Sequence, residues 1–260
     1  MKKYLRLWVI LSFSSFETFF VSRMGAALFL LGKILRFLFF LGFLVLLVSR
    51  TKLLAGYNIW QVILFYLTFN FIDSVTQMLF RDVYRFRQQI ITGNFDLLLV
   101  KPVNSLFRVL FGGTDFLDFI TLFPFVIFLI FAVSRLSGVT LLGIAAYIVL
   151  LSNAFMIALS FHIMVMALAI LTQEIDHAIM IYRDFTGMGK LPVDIYREPL
   201  RSLVTFVIPV GIMMTFPVKV LLGLLSVWAV AAAILIGTIL FSGSIIFWRH
   251  ALNQYTSASS

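Results

Sequence analysis

An all-α, polytopic membrane protein is the fold class this sequence predicts, on three observations. The chain is 62% hydrophobic and only 12% charged, where a soluble domain carries about 45–50% apolar and about 25% charged residues. Six apolar runs come close to the roughly 20 residues that a helix needs to cross a hydrocarbon core, at about 28–48, 58–80, 116–133, 139–171, 203–222 and 225–248. The basic residues are spread between those runs, so the net charge of +9 reads as membrane topology and not as a nucleic-acid surface.

Before the first run, Lys2 and Lys3 precede "YLRLWVILSF", which has the look of a signal peptide. Polar residues return at once, however: Ser14, Ser15, Glu17, Thr18 and Ser22 fall opposite Phe13, Phe16, Phe19 and Phe20. A cleavable signal needs a continuous apolar core and a small-residue cleavage site. Residues 1–24 are therefore expected to form an uncleaved amphipathic helix lying in the membrane interface, with a longer first span as the alternative. The fourth run is over-long and should tilt or extend past the membrane. The fifth is broken by Pro209, Gly211 and Pro217. Proline removes a backbone donor, and such a break at membrane depth requires protein or a water-filled cavity around it. A re-entrant segment between helices five and six, turning back near the outer surface, fits this better than a plain kink.

Six spans put both termini on one side. The N-terminal segment (Lys2, Lys3, Arg6, Arg23), the 81–114 loop (Arg81, Arg85, Arg87, Lys101, Arg108), the 173–202 loop (Arg183, Lys190, Arg197, Arg201) and Arg249 then share a face with fourteen basic residues. The other face holds four, Arg50, Lys52, Arg135 and Lys219, while Lys33 and Arg36 sit in the first span. The positive-inside rule makes the fourteen-residue face cytoplasmic. No repeat or Pro/Gly/Ser linker divides the chain, so residues 1–260 are expected to form one domain.

Few residues suggest chemistry. Cysteine is absent and the three histidines are scattered, which excludes thiolate nucleophiles and cysteine-ligated metals. "GMGK" at 187–190 resembles a phosphate loop, but Phe185 stands where its first glycine belongs and Leu191 replaces its Ser or Thr. A lone intramembrane His162 reads as a satisfied polar group, and His177 beside Glu174 and Asp176 as a solvated helix end more than a metal site. Asn70, Asp73, Ser74, Gln77 and Arg81 follow i, i+3, i+4, i+7, i+11 and share one helical face. That face belongs to a hydrogen-bonded helix seam or to the wall of a polar substrate path. Asp115 and Asp118 suit the positive end of the third span as caps. The pairs Ala154/Ala158 and Ala229/Ala233 are weak signs of close helix packing. Finally, "GNFDLLLVKPV" at 93–103 is too apolar for a solvated loop and too broken for a membrane helix.

Three stretches carry a resemblance: "ITGNFDLLLVKPVNSLF" from Ile91, "LPVDIYREPLRSLVTFVIPVGIMMTFP" from Leu191, and the ending "FWRHALNQYTSAS". Together with the six-span plan, the chain resembles permeases of ATP-binding-cassette transporters of the ABC-2 type. The branch is one often found as two permeases with one ATPase. The resemblance implies an exporter half in a bacterial plasma (inner) membrane, with both termini cytoplasmic. It also implies a second permease subunit, identical or homologous, and cytoplasmic ATPase subunits that bind the ATP and Mg; this chain would itself carry no cofactor and no ATPase site. Residues 85–112 would be the cytoplasmic coupling segment, in which Asp96 and Lys101 make polar contacts, Leu97 to Val100, Leu98 among them, anchor the segment to the membrane surface, Pro102 bends it and Gly93 opens it. The competing class is a stand-alone secondary transporter or channel using Asp73 as an intramembrane ion site; a lipid-directed enzyme lacks a paired catalytic cluster.

Overall fold

The computed structural model describes residues 2–21, 23–172 and 175–256; the side chains of residues 18–21, 23 and 175–177 are not among those described. All regular structure in this part of the chain is helical. Helix α1 (Lys2–Val21) is followed by α2 (Arg23–Thr51) and α3 (Ile59–Leu79). Three six-residue helices come next, α4 (Phe86–Ile91), α5 (Asn94–Leu99) and α6 (Ser105–Leu110). Two long helices, α7 (Phe116–Ser134) and α8 (Leu141–Thr172), precede the shorter α9 (Ile175–Gly187). A bent pair, α10 (Leu200–Val207) and α11 (Gly211–Leu221), leads to α12 (Val227–Asn253).

Local sequence sets several of these boundaries. Asn58 and Gln61 form a reciprocal capping box at the start of α3. Asp115 accepts from the Leu117 and Asp118 amides to open α7, and Ser226 accepts from the Ala229 amide to open α12. Among the described residues, five helices are long and apolar enough to cross a membrane, and they coincide with five of the six expected runs. Helices α3 and α8 form the centre of the bundle, with 61% of their apolar windows buried, against 17–22% for α2, α7 and α12. The outer three leave most of their apolar surface exposed.

The two ends of the bundle differ. The proximal end gathers α1, α4–α6, the start of α7, the last turns of α8 and α12, and a core of Phe86, Phe95, Ile163, Met166 and Trp248. The distal end holds the α2–α3 connection with Tyr57, the α7–α8 connection, and the start of α12. Helix α1 packs on the proximal end through Tyr4, Leu7, Trp8, Leu11, Ser12, Ser15 and Phe16 at helical spacing. Ser12 bonds Thr114 at 2.6 Å, and Phe16 meets Phe116. The face left uncovered carries Leu5, Ile10 and Phe13. The division expected between serines and phenylalanines is thus not the one the helix uses: Ser15 and Phe16 pack together, and Phe13 points outward. Thr18, Phe19 and Phe20 fall among the undescribed side chains, and Ser22 lies outside the described residues.

The fifth crossing differs from expectation. Ile179 of α9 lies in the proximal core, yet a few turns later the Asp194 carboxylate accepts from Tyr57 Oη at 2.9 Å, at the distal end. Residues 175–195 therefore traverse the bundle, where a cytoplasmic loop was expected. Run 203–222, expected to be the span, does not cross. Asp194 also pairs with Lys219 at 2.7 Å and Arg201 at 3.7 Å, so α10 begins and α11 ends at the same level. The pair is an L-shaped break, bent by 79°. Pro209 occupies the bend, and Gly211 allows the arms to touch, since a Cβ there would sit 2.8 Å from Thr205 Oγ1. Pro217 stands in the first turn of the last helical stretch of α11, a position that needs no amide donor. Residues 209–218 are buried throughout, so this segment does not turn back at an open outer surface; it is embedded against α3 and α8.

Helices α8 and α12 approach closely. Asn153 Nδ2 donates to Ala233 O at 3.0 Å, and Gly237 lies so near Asn153 that any Cβ would collide with its amide oxygen. Ala154 and Ala158 are fully buried, as their spacing suggested, but on α12 the small pair in contact is Ala233 and Gly237, not Ala229 and Ala233.

Candidate functional site

The polar face of α3 looks into open space. Asn70, Asp73, Ser74, Gln77 and Arg81 all line a cavity of ≈ 520 Å³ between α2, α3 and α7. Across it, α2 supplies Lys33 and Arg36 one turn apart, α7 supplies Asp118 and the in-helix Pro124, and α9 supplies Arg183. A smaller cavity of ≈ 100 Å³ shares Arg36, Asn70, Asp73 and Arg183 with the first and adds Lys190. The two form one crevice. Asn70 donates back to Tyr66 O, and Gln77 donates to Tyr84 Oη at 2.8 Å. Neither bond crosses to another long helix, whereas Arg81 of the same face reaches Asp115 at the start of α7.

Charge in the crevice is unevenly paired. Lys33 meets Asp118 at 2.6 Å with both side chains mostly buried, and Arg81 meets Asp115 at 3.3 Å. Asp115 caps α7 as expected, whereas Asp118, expected to do likewise, crosses to α2. Arg36, Arg183 and Lys190 have no carboxylate within 4 Å among the described residues. Asp73, with no direct partner of its own there, feels the field of Arg183, Arg36, Lys33 and Lys190 together. Lys33 and Arg36 were the sequence signal for this site: charges inside an apolar run are costly and mark function by default. Arg183 and Lys190 were hidden by the expectation that their segment was a loop.

At the proximal end, the 93–103 segment is α5 and its exit. Gly93 adopts φ +71 at the start of the helix, a conformation open to glycine. Phe95 is fully buried and packs edge-on against Phe86, Trp248 and Tyr255. The Asp96 carboxylate accepts from Tyr255 Oη at 2.8 Å, and burial together with that carboxylate pushes the Tyr255 hydroxyl up to about 12. Leu98 turns inward, while Leu97 and Val100 are 60% and 82% exposed, flanked by exposed Lys101 and Pro102. The carbonyl of Pro102 accepts from Lys3 Nζ at 2.8 Å. Phe95 with Leu98 fastens the segment to the rest of the protein, while Leu97, Leu99 and Val100, expected with Leu98 to anchor it to the membrane surface, are exposed. A single phenylalanine in an apolar stretch gave no signal of that role. Nearby, Asp82 pairs with Arg108 at 3.6 Å and Arg85 at 3.7 Å; burial raises its carboxyl, and the two guanidiniums draw it back.

Other singled-out residues lie apart. His162 bonds Ala158 O through Nδ1 and sits between Phe80 and Tyr182. "GMGK" ends in a 3-10 turn that directs Lys190 towards Phe40. Glu174 lies outside the described residues, as do the side chains of Asp176 and His177. At the distal end, burial and the neighbouring Asp194 raise the Tyr57 hydroxyl.

No curated protein and no solved structure matched this chain. A family model did: residues 33–259, a stretch running from the crevice lysine of α2 to beyond α12, match the model described as ABC-2 family transporter protein. With its multi-pass helical bundle, the chain belongs to the ABC-2 family and is a membrane permease of an ABC transporter.

Proposed function

We propose that this permease is the membrane half of an ATP-driven exporter, in which two permease subunits form the path and separate cytoplasmic ATPase subunits bind ATP and Mg and drive it. The observation that carries the reading is α5. Phe95 and the Asp96–Tyr255 bond fasten it to α4 and to the C-terminal end of α12, while Leu97, Val100 and Lys101 remain exposed. A rigid apolar and basic surface on a short helix can take a push from a soluble partner and pass it to a spanning helix. Gly93 and Pro102 bracket this element, and Leu98 holds its inner side.

The proximal end is cytoplasmic in this reading. Reassigning residues 175–202 leaves Lys2, Lys3, Arg6, Arg23, Arg81, Arg85, Arg87, Lys101, Arg108 and Arg249 proximal. Arg50, Lys52, Arg135, Arg197, Arg201 and Lys219 are distal, and Lys33, Arg36, Arg183 and Lys190 lie within the bundle. Ten against six is a smaller asymmetry than fourteen against four, with the same sign. A cation site at Asp73 is disfavoured, because four basic side chains share its field. The test is affinity purification in mild detergent. An ATPase and a second permease should copurify, with ATPase yield falling for Val100→Asp while the permease still inserts; an ATPase-free preparation, or unchanged yield for the variant, refutes the coupling reading.

A further inference from the structure

The crevice has three features that together specify a ligand. Its floor is basic: with Lys33 tied to Asp118 and Arg81 tied to Asp115, the remaining acid that faces Arg36, Arg183 and Lys190 among the described residues is Asp73. Its upper wall is aromatic, from Phe37 and Phe125 in the larger cavity to Phe40 and Tyr66 in the smaller. Its side is open to the outer surface of the bundle, because Leu28, Phe29, Leu38 and Phe128, which line it, are each about half exposed or more. Arg36 and Arg183 are exposed at the mouth of the crevice and Lys190 is half-buried, so a counter-charge from the apolar surroundings can reach all three, and cations that face an apolar medium are costly until one arrives. Arginine pairs favour planar, multidentate oxyanions such as phosphate. A side opening between apolar helices suits a molecule whose remainder stays in lipid.

We propose that this crevice binds an amphiphile with a phosphate-type anionic head group, which slides in sideways between α2 and α7 and seats its head on Arg36, Arg183 and Lys190. Its chains remain along Phe29, Leu38 and Phe128. This deepens the exporter reading by assigning a substrate class to the permease, and it rests on that reading only for the word substrate, since binding is measured on this chain alone. Asp73 opposes the ligand electrostatically and keeps the empty crevice from holding its full positive charge.

The test uses the full chain in phosphatidylcholine nanodiscs doped with phosphatidylglycerol, with retained lipid counted by native mass spectrometry. Phosphatidylglycerol should be retained over phosphatidylcholine of the same chains. Arg36→Gln, Arg183→Gln and Lys190→Gln should each weaken retention about tenfold, about 1.4 kcal/mol. Asp73→Asn should strengthen it, and Arg249→Gln, away from the crevice, should leave it unchanged. A misfolded variant cannot imitate the gain at Asp73. Equal retention of the two lipids, or loss with Asp73→Asn, overturns the proposal. Displacement by inorganic phosphate at concentrations matching the lipid would show that a free anion is the ligand and overturn the amphiphile class. Failure of ATPase copurification with lipid selectivity intact would sink the exporter reading and leave the site standing.

Discussion

Replacing Asp194 with leucine should strike the distal end hardest. Lys219 Nζ is 2.7 Å from the carboxylate, and the two side chains are only 16% and 15% exposed. Stranding one partner of a buried pair costs about 3–5 kcal/mol, and residual solvent access brings this case to about 3 kcal/mol. Tyr57 also loses its acceptor, a further ~1 kcal/mol. Arg201, 3.7 Å away and about half exposed, adds little. A loss of about 4 kcal/mol, at about 2–4 °C per kcal/mol for a chain of this size, lowers the unfolding midpoint by roughly 8–16 °C. Tryptophan fluorescence during heating in detergent reads it. The double variant Asp194→Leu/Lys219→Met removes the stranded charge and should recover at least half of the loss, because an apolar pair of similar volume replaces an ion pair at little cost. A single variant within about 2 °C of the parent, or a double variant no better than the single, would refute the argument that this carboxylate clamps the bent α10–α11 pair to the α2–α3 connection.

Three further outcomes follow from the same structure. Single cysteines replacing Ser137 and Ser202 should label from the same side of the membrane with an impermeant thiol reagent and Ser105 from the other; Ser202 labelling with Ser105 would restore the loop reading of 173–202. Gly237→Leu should overpack the α8–α12 contact against Asn153 and cost about 1–3 kcal/mol or more, whereas Gly243→Leu, in open space on the same helix, should leave the melting midpoint unchanged. Because Tyr255 binds its proton more tightly when folded, stability from the α5 clamp is present below its ordinary pKa near 10 and lost as pH rises towards about 12; protease protection of α5 should fall over that window, and Tyr255→Phe should flatten the dependence.

Residues legible in the sequence were those whose environment is set by the bilayer. Helices α2, α7 and α12 face lipid along most of their length, so their runs were visible as continuous hydropathy. The α3 face from Asn70 to Arg81 was equally plain, because a periodic polar stripe in an apolar helix needs somewhere to look. Capping at Asp115 followed from local chemistry. Tertiary structure alone decided the fifth crossing. Residues 175–195 cross beside α8 with Arg183 and Lys190 lining a polar crevice and Met180 and Ile181 exposed, a mixture of polar and apolar residues that resembles a loop. Residues 209–218 are apolar because the bundle buries them, and they imitate a span without crossing. Hydropathy measures what surrounds a side chain, lipid or protein alike, and only the contacts of Asp194 with Tyr57, Arg201 and Lys219 tell the two apart.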